Sequence, residues 1–402
     1  MPALLPAFTA KLAKDVYDVI EKDADVDKAL DVISRRRGGV FGITPSSVVN
    51  ARTGGPSIIK CETAFGMMVY GTGELYKRHA FIVLRGSRIL GDWLTNLNGL
   101  TSRSSAGHTV HDGFNQSFAS FRPQLDDFIA GFAQQNIATV HCIGHSLGGA
   151  LANLCAEHLK LVTRKEIYLY SFGSPRVGLS MFADELSKSL SPQRVFRMYH
   201  RTDIVPCIPP WPYAHVPSLM AEKHDYFQPS PGKLPSAEWH SMKNYQDTIG
   251  QNSWSQLRGR RFEPFDDKAT EAWLNHRSPI HFTITDLTRL DKAIWYVLKK
   301  CMGSLRISAN FFLNPASDFN IYDTVAYVMH KAFKTADLTA KGVSKIPGLI
   351  KALIRKICGL LGIIEEEKTG RNFIRTLFQW LSARLKQYCR EAIDRTLMLE
   401  VG

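Results

Sequence analysis

Hydrophobic and polar residues change rhythm twice along this chain of 402 residues. Over residues 9–35 the apolar positions Leu12, Val16, Ile20, Val26, Leu30 and Ile33 recur at helical spacing, with Thr9 placed to cap the first part. The stretch "GGVFGITPSSVVNARTGGPS" that follows is rich in Gly, Ser and Pro and reads as a loop. Strands and helices then alternate. "FGMMVYG", "HAFIVLRG", "ATVHCIG", "EIYLYSFG" and "RVFRMYH" predict strands. "FNQSFASFRPQLDDFIAGFAQQN", "LGGALANLCAEHLKLV" and "SMFADELSKSL" predict helices between them. Apolar strands separated by helices of a dozen or so residues predict an α/β fold with a mostly parallel central sheet covered on both faces.

After about residue 255 only helical periods remain, as in "DLTRLDKAIWYVLKKCM", "IYDTVAYVMHKAF" and "RNFIRTLFQWLSARLKQYCREAIDRTL". We therefore divide the chain into an α/β region, 1–254, and a C-terminal all-helical region, 255–402. In "IPGLIKALIRKICGLLGII" the apolar residues Ile346, Leu349, Ile350, Leu353, Ile354, Ile357, Leu360, Leu361 and Ile364 form one stripe, with Lys351, Arg355 and Lys356 off it. Such a stripe serves either as a core face or, with basic flanks, as a contact for an anionic membrane surface.

Charge sharpens this picture. The formal net charge is +13, and residues 341–390 carry eleven Lys or Arg against three Glu. A basic balance suits polyanions such as anionic lipid. Here the charge comes with apolar stripes and no nucleic-acid motif, so no nucleic-acid partner is expected. The seven cysteines are widely spaced and lack a CxxC, which argues against a disulfide framework or a zinc site. The N-terminus has no basic n-region followed by a long apolar stretch, so no Sec signal peptide is expected, and no apolar run is long enough to span a bilayer.

The candidate chemistry centres on "VHCIGHSLGGALANL", Val140 to Leu154. Gly-x-Ser-x-Gly becomes informative between a buried strand and a helix, where a sharp turn exposes the serine hydroxyl beside free N–H groups. "TVHCI" supplies the strand and "ALANLCAEHL" the helix, which makes Ser146 a candidate nucleophile. A serine nucleophile needs a base, and the base needs an orienting carboxylate. Asp203 follows the strand "RVFRMYH" on a Pro-bounded loop, where such a carboxylate belongs. Three histidines could serve as base. His240 opens a helical period in "HSMKNYQDTI" and ranks first; His224 lies in the charged loop "AEKHDYF" and His215 in the short strand "PYAHV". Oxyanion donors would come from the Leu147 N–H and from Ser87 in "FIVLRGS".

Together "FIVLRGS", "DWLTNL", "VHDGF", "IGHSLGGALANL", "SFGSPRVG", "HRTDIVPCIPP", "YAH" and "HSMKNY" resemble the class 3, fungal-type lipases of the α/β-hydrolase superfamily, in that family's order, over roughly residues 60–250. The resemblance implies Ser146 as nucleophile, Asp203 as triad acid, His240 as triad base, Ser87 and Leu147 at the oxyanion hole, and His215 as a non-catalytic histidine. It implies a lid at Ser87 to Asn96, with Ile89, Leu90, Trp93 and Leu94 as its apolar face. It implies a lipid or phospholipid ester substrate met at a membrane surface, with no metal or organic cofactor. Helical basic additions also resemble those of bacterial type VI secretion lipase effectors. That implies a cytoplasmic product exported by a specialised system to target-cell membranes and neutralised by an immunity protein. The long Pro-rich stretch between His215 and His240 departs from the family pattern. Two rival expectations are a catalytically inactive binding module on the lipase fold and a membrane-disrupting protein acting through its basic helices.

Overall fold

The computed structural model describes residues 3–21, 40–42, 47–53, 61–86, 100–210, 212–217, 225–232, 235–236, 238–258, 266–307, 320–338, 345–364 and 369–401. Ser87, the candidate lid residues Ile89, Leu90, Trp93 and Leu94, and His224 lie outside them.

The main sheet has the strand order β1-β3-β4-β7-β8-β10-β12, with β2 also pairing β3. These are β1 (Phe41–Gly42), β2 (Val48–Thr53), β3 (Cys61–Gly71), β4 (His79–Leu84), β7 (Thr139–His145), β8 (Glu166–Phe172), β10 (Val195–His200) and β12 (Asp225–Gln228). From β4 to β12 all neighbours run parallel, while β1, β2 and β4 pair with β3 antiparallel. A second, antiparallel sheet joins β11 (Tyr213–Ala214), β9 (Gly178–Leu179), β6 (Thr109–His111) and β5 (Thr101–Arg103).

Successive strand side chains point to opposite faces, and both faces are filled. On β4, Ala80, Ile82 and Leu84 join one apolar cluster and Phe81 and Val83 the other. The first cluster holds the crossover helices α2 (Asp112–Ala130), α3 (Leu147–Val162) and α4 (Ser180–Leu190). The second holds α1 (Pro6–Glu21), α5 (Met242–Ile249) and Leu257 of α6 (Trp254–Arg258).

Three local expectations change. Helix α1 begins at Pro6, whose fixed φ suits a first helical position. Thr9 therefore lies inside the first turn, and its hydroxyl donates to the Pro6 carbonyl at 2.8 Å instead of capping. The region read as a loop before residue 58 contains β1 and β2, and "DYFQ" in the charged loop forms β12. Periodicity misses these segments because pairing makes them strands: β12 is held in parallel register by β10, Met198 opposite Tyr226. Of the helix expected over 9–35, Val26, Leu30 and Ile33 fall outside the described residues.

The helical region comprises α7 (Asp267–Asn275), α8 (Ile284–Leu305), α9 (Ile321–Leu338), α10 (Ile346–Leu361) and α11 (Arg371–Val401). Its apolar faces belong to the same cluster as α2 and α3. Most of the α10 stripe turns inward: Leu349, Ile350, Leu353, Ile354, Ile357 and Leu360 are buried and Ile346 and Leu361 half-buried, whereas Ile364, past the helix end, is 89% exposed. Even Lys356 is buried, its ammonium donating to the Ser278 carbonyl at 3.1 Å and lying 4.8 Å above the Trp273 ring. No described helix is long and apolar enough to cross a membrane.

This region is tied to the loops at the carboxyl ends of the sheet. The guanidinium of Arg176 pairs with Asp291 of α8 and also donates to the Pro209 carbonyl at 3.1 Å. The Arg176 N–H donates to the Ile208 carbonyl at 2.8 Å. Cys389 of α11 contacts the Ile204 carbonyl at 3.8 Å, and α11 packs against residues Glu238–His240. Side-chain exposures of 11% for Arg176 and 18% for Asp291 put the ion pair largely out of water. Removing one partner of such a pair strands the other charge. We expect Asp291→Ala to lower the unfolding free energy by about 3–5 kcal/mol in urea denaturation; a loss below about 1 kcal/mol would mark the pair as no better than a surface contact.

Candidate active site

Strand β7 is buried along its whole length, and the chain turns at Ser146 directly into α3. Ser146 takes φ 54° and ψ −127°, a backbone that side-chain-bearing residues rarely adopt. The turn is this tight because strand, turn and helix nearly touch. A Cβ on Gly148 would sit 2.2 Å from the Leu84 carbonyl oxygen, and one on Gly144 would sit 2.1 Å from that of Gly148. The Ser146 N–H donates to the Phe172 carbonyl of β8 at 2.9 Å, and its own carbonyl accepts from Gly149 at 2.9 Å. The Leu147 N–H opens the helix, among the first N–H groups that no intrahelical carbonyl reaches.

The structure brings the three residues singled out by sequence into one chain of hydrogen bonds. Ser146 Oγ lies 2.9 Å from His240 Nε2. His240 Nδ1 lies 2.9 Å and 3.0 Å from the two carboxylate oxygens of Asp203. A carboxylate only accepts, so Nδ1 carries the proton and Nε2 is left to accept from the serine hydroxyl. All three side chains are buried. His240 closes the short helical turn Glu238–His240, and Ser241 caps α5 behind it by accepting from the Asn244 N–H.

Asp203 is held from two further sides. Its Oδ1 accepts from the Val205 N–H at 3.0 Å, and its Oδ2 accepts from the Tyr245 hydroxyl at 2.8 Å. Tyr245 in turn accepts from the His200 N–H at 3.2 Å. Burial, then the neighbouring carboxylate, pushes the Tyr245 phenol well up, which keeps it a donor. His200 uses both ring nitrogens, on the Trp239 carbonyl at 2.7 Å and the Thr248 hydroxyl at 2.9 Å. His215, a rival candidate base, lies 2.7 Å from the Pro206 carbonyl and so braces the loop after Asp203.

Sequence reasoning passed over Tyr245, His200, His145 and Tyr17. Tyr245 showed only as one position of a helical period, and nothing local marks a tyrosine that will meet a carboxylate 42 residues away. No group of three or more metal-ligating side chains occurs among the described residues.

Residues 81–213 match the family described as lipase (class 3). That match spans residues 81–213 of the 402, and the rest of the chain lies outside it. The family segment contains Ser146 and Asp203 but ends before His240, whose place here comes from geometry. Similar curated proteins include a lipase of Rhizomucor miehei, 32% identical over 38% of this chain and 45% of that protein. A secreted mono- and diacylglycerol lipase of Fusarium solani is 30% identical over 38% and 46%. A chloroplastic phospholipase A(1) of Arabidopsis thaliana is 30% identical over 34% and 35%. The chain thus spans less than half the length of each of these relatives. A solved triacylglyceride lipase from Rhizomucor miehei aligns with TM-score 0.41 and 23% identity over 55% of this chain and 77% of that one. The parallel sheet, its covering helices and the strand-serine-helix turn make the α/β-hydrolase fold.

Several buried histidines are held uncharged. Burial pushes His200 down from 6.5 to about 4, and pushes His141, His145 and His215 well below their usual value. In the unfolded chain each takes a proton below its ordinary value. The stability they contribute is therefore complete above pH 6.5 and is lost as pH falls toward about 4, the folded value of His200. Each adds a slope approaching about 1.4 kcal/mol per pH unit. The melting temperature should fall steeply from about pH 6.5 to about pH 4.5; a flat profile by differential scanning calorimetry across that window would contradict this account.

Proposed function

We propose that this protein is a serine carboxylester hydrolase that cleaves acyl esters of lipids. The observation that carries the reading is the continuous Ser146–His240–Asp203 hydrogen-bond chain on the strand-to-helix turn. As Ser146 Oγ attacks the ester carbonyl, His240 Nε2 takes its proton. Asp203 holds the imidazolium that forms, its own oxygens fixed in place by the Val205 N–H and the Tyr245 hydroxyl. The Leu147 N–H stands next to the nucleophile to receive the developing oxyanion, and Ser87 is the proposed second donor. His240 then protonates the leaving alcohol, and an acyl-serine remains. Water attacks that ester with the same histidine as base, freeing the fatty acid. The mechanism calls on no metal or organic cofactor.

The finer proposal is a phospholipid acyl ester met at a membrane surface. Similar proteins are named for acylglycerols and for phospholipase A(1). The net charge of +13 supports an anionic surface, to which basic side chains are drawn. The apolar stripe of α10 is not available for that contact, because it is inside the core. Membrane disruption through that helix is therefore disfavoured. The export route and the immunity partner rest on the family resemblance alone.

Ser146→Ala should abolish ester hydrolysis and labelling by a fluorophosphonate while the melting temperature stays close to that of the native chain. Lipid mass spectrometry on phosphatidylglycerol vesicles and on emulsified diacylglycerol should show fatty acid released by the native protein, faster from the vesicles. Absence of labelling in the native chain would favour the inactive binding module. Faster release from diacylglycerol would overturn the phospholipid reading and leave the esterase standing.

A further inference from the structure

The strand-end residue Gly86 approaches the nucleophile so closely that a Cβ there would lie 2.9 Å from the Ser146 Cβ and 2.7 Å from the Tyr17 hydroxyl. Tyr17 comes from α1, on the opposite face of the sheet from the crossover helices. It stands next to Val16, and Leu12, Ala13 and Val16 bury that helix against β3, β4 and β7. Its hydroxyl sits between two groups of the site. The Gly86 N–H donates to it at 2.9 Å, and it lies 2.5 Å from His145 Nδ1. His145 Nε2 lies 2.7 Å from the backbone carbonyl of His240.

The direction of every proton in this chain is forced. A carbonyl only accepts, so His145 Nε2 carries hydrogen. Burial keeps the ring neutral, so Nδ1 is bare and must accept. The Tyr17 O–H therefore donates to it, and the phenol oxygen is free to accept from Gly86. The His145 and His240 rings are 4.7 Å apart. A proton on His145 would place a second cation beside the imidazolium that His240 must become, and the Tyr17 hydroxyl occupies the nitrogen where that proton would go.

We propose that Tyr17 is a positioning residue of this site: one hydroxyl fixes the loop that leads to the oxyanion position and, through His145, the backbone that carries His240. This rests on the esterase reading above. Through this one hydroxyl, a helix whose sequence shows only an amphipathic period reaches the site. Tyr17 neither attacks nor transfers a proton to substrate. It sets where two reacting groups stand.

The test uses the full chain, a soluble short-chain ester, and the variants Tyr17→Phe, Val16→Ala and Ser146→Ala. Tyr17→Phe keeps the ring and its packing, so the melting temperature should stay within a few degrees and KM within about twofold, while kcat falls about tenfold. Val16→Ala loosens the same helix without removing the hydroxyl; it should lower the melting temperature more and leave kcat near native. Imidazole nitrogen NMR should show His145 as the Nε2–H tautomer in both chains, with its Nδ1 resonance at a hydrogen-bonded position in the native chain and moved toward that of an unbonded nitrogen in Tyr17→Phe. Native kcat in Tyr17→Phe, or an equal loss of kcat in Val16→Ala, overturns the proposal, as does an unchanged Nδ1 resonance. If Ser146→Ala hydrolyses as fast as the native chain, the esterase reading is what fails. The nitrogen measurement, which needs no turnover, then still decides whether the Tyr17 hydroxyl holds His145 at Nδ1.

Discussion

The structure depends on one strained residue. Ser146 holds a left-handed backbone at φ 54° between a fully buried strand and a helix. Such a conformation costs of order ~1–3 kcal/mol and persists only when its surroundings over-determine it. Here they do so through glycines that let β4, the turn and α3 come within contact distance, and through the hydrogen bond from the Ser146 N–H to β8. The strain holds the hydroxyl at the carboxyl ends of β7 and β8, beside the first N–H groups of α3. Every other part of the site comes to that point from elsewhere in the chain.

What arrives there comes from both faces of the sheet and from the helical region. Asp203 and His240 lie on segments beyond β10, and irregular segments of this kind hold no position by themselves. Arg176 fastens the loop after Asp203 by the carbonyls of Ile208 and Pro209 and is itself held by Asp291 of α8. Helix α11 packs behind Glu238–His240 and reaches the Ile204 carbonyl through Cys389. The basic helices thus support the acid and the base of the triad. Their apolar stripes, which by pattern could equally have faced lipid, cover the loops on which those two residues sit.

That choice marks the limit of what sequence shows. Ser146 was legible because Gly-x-Ser-x-Gly encodes a local event, a turn whose causes lie within a few residues. Asp203 was legible from its place after a strand. His240 ranked above His224 and His215 because it opens a helix at a loop junction after the last strand expected from the sequence. The strands Val48–Thr53 and Asp225–Gln228 were not legible, since their partners, β3 and β10, make them strands. Tyr17 and Tyr245 were not legible for a related reason. Each acts through a hydroxyl at the end of a side chain that sequence periodicity assigns to a helix face and nothing more.

The histidines show why distance in space decides chemistry that composition cannot. His145, His200, His215 and His240 all lie in or beside the site, and each is tied by its ring to a neighbour. His145 meets a carbonyl and a phenol, His200 a carbonyl and a threonine hydroxyl, and His215 a carbonyl. These partners orient a neutral ring but offer no charge to balance a proton. Of these four, His240 has a carboxylate on Nδ1, which leaves its Nε2 facing the serine. A proton arriving at the site therefore has one favourable place to go. The neutral histidines around it sharpen that preference, because each is buried too deeply to compete.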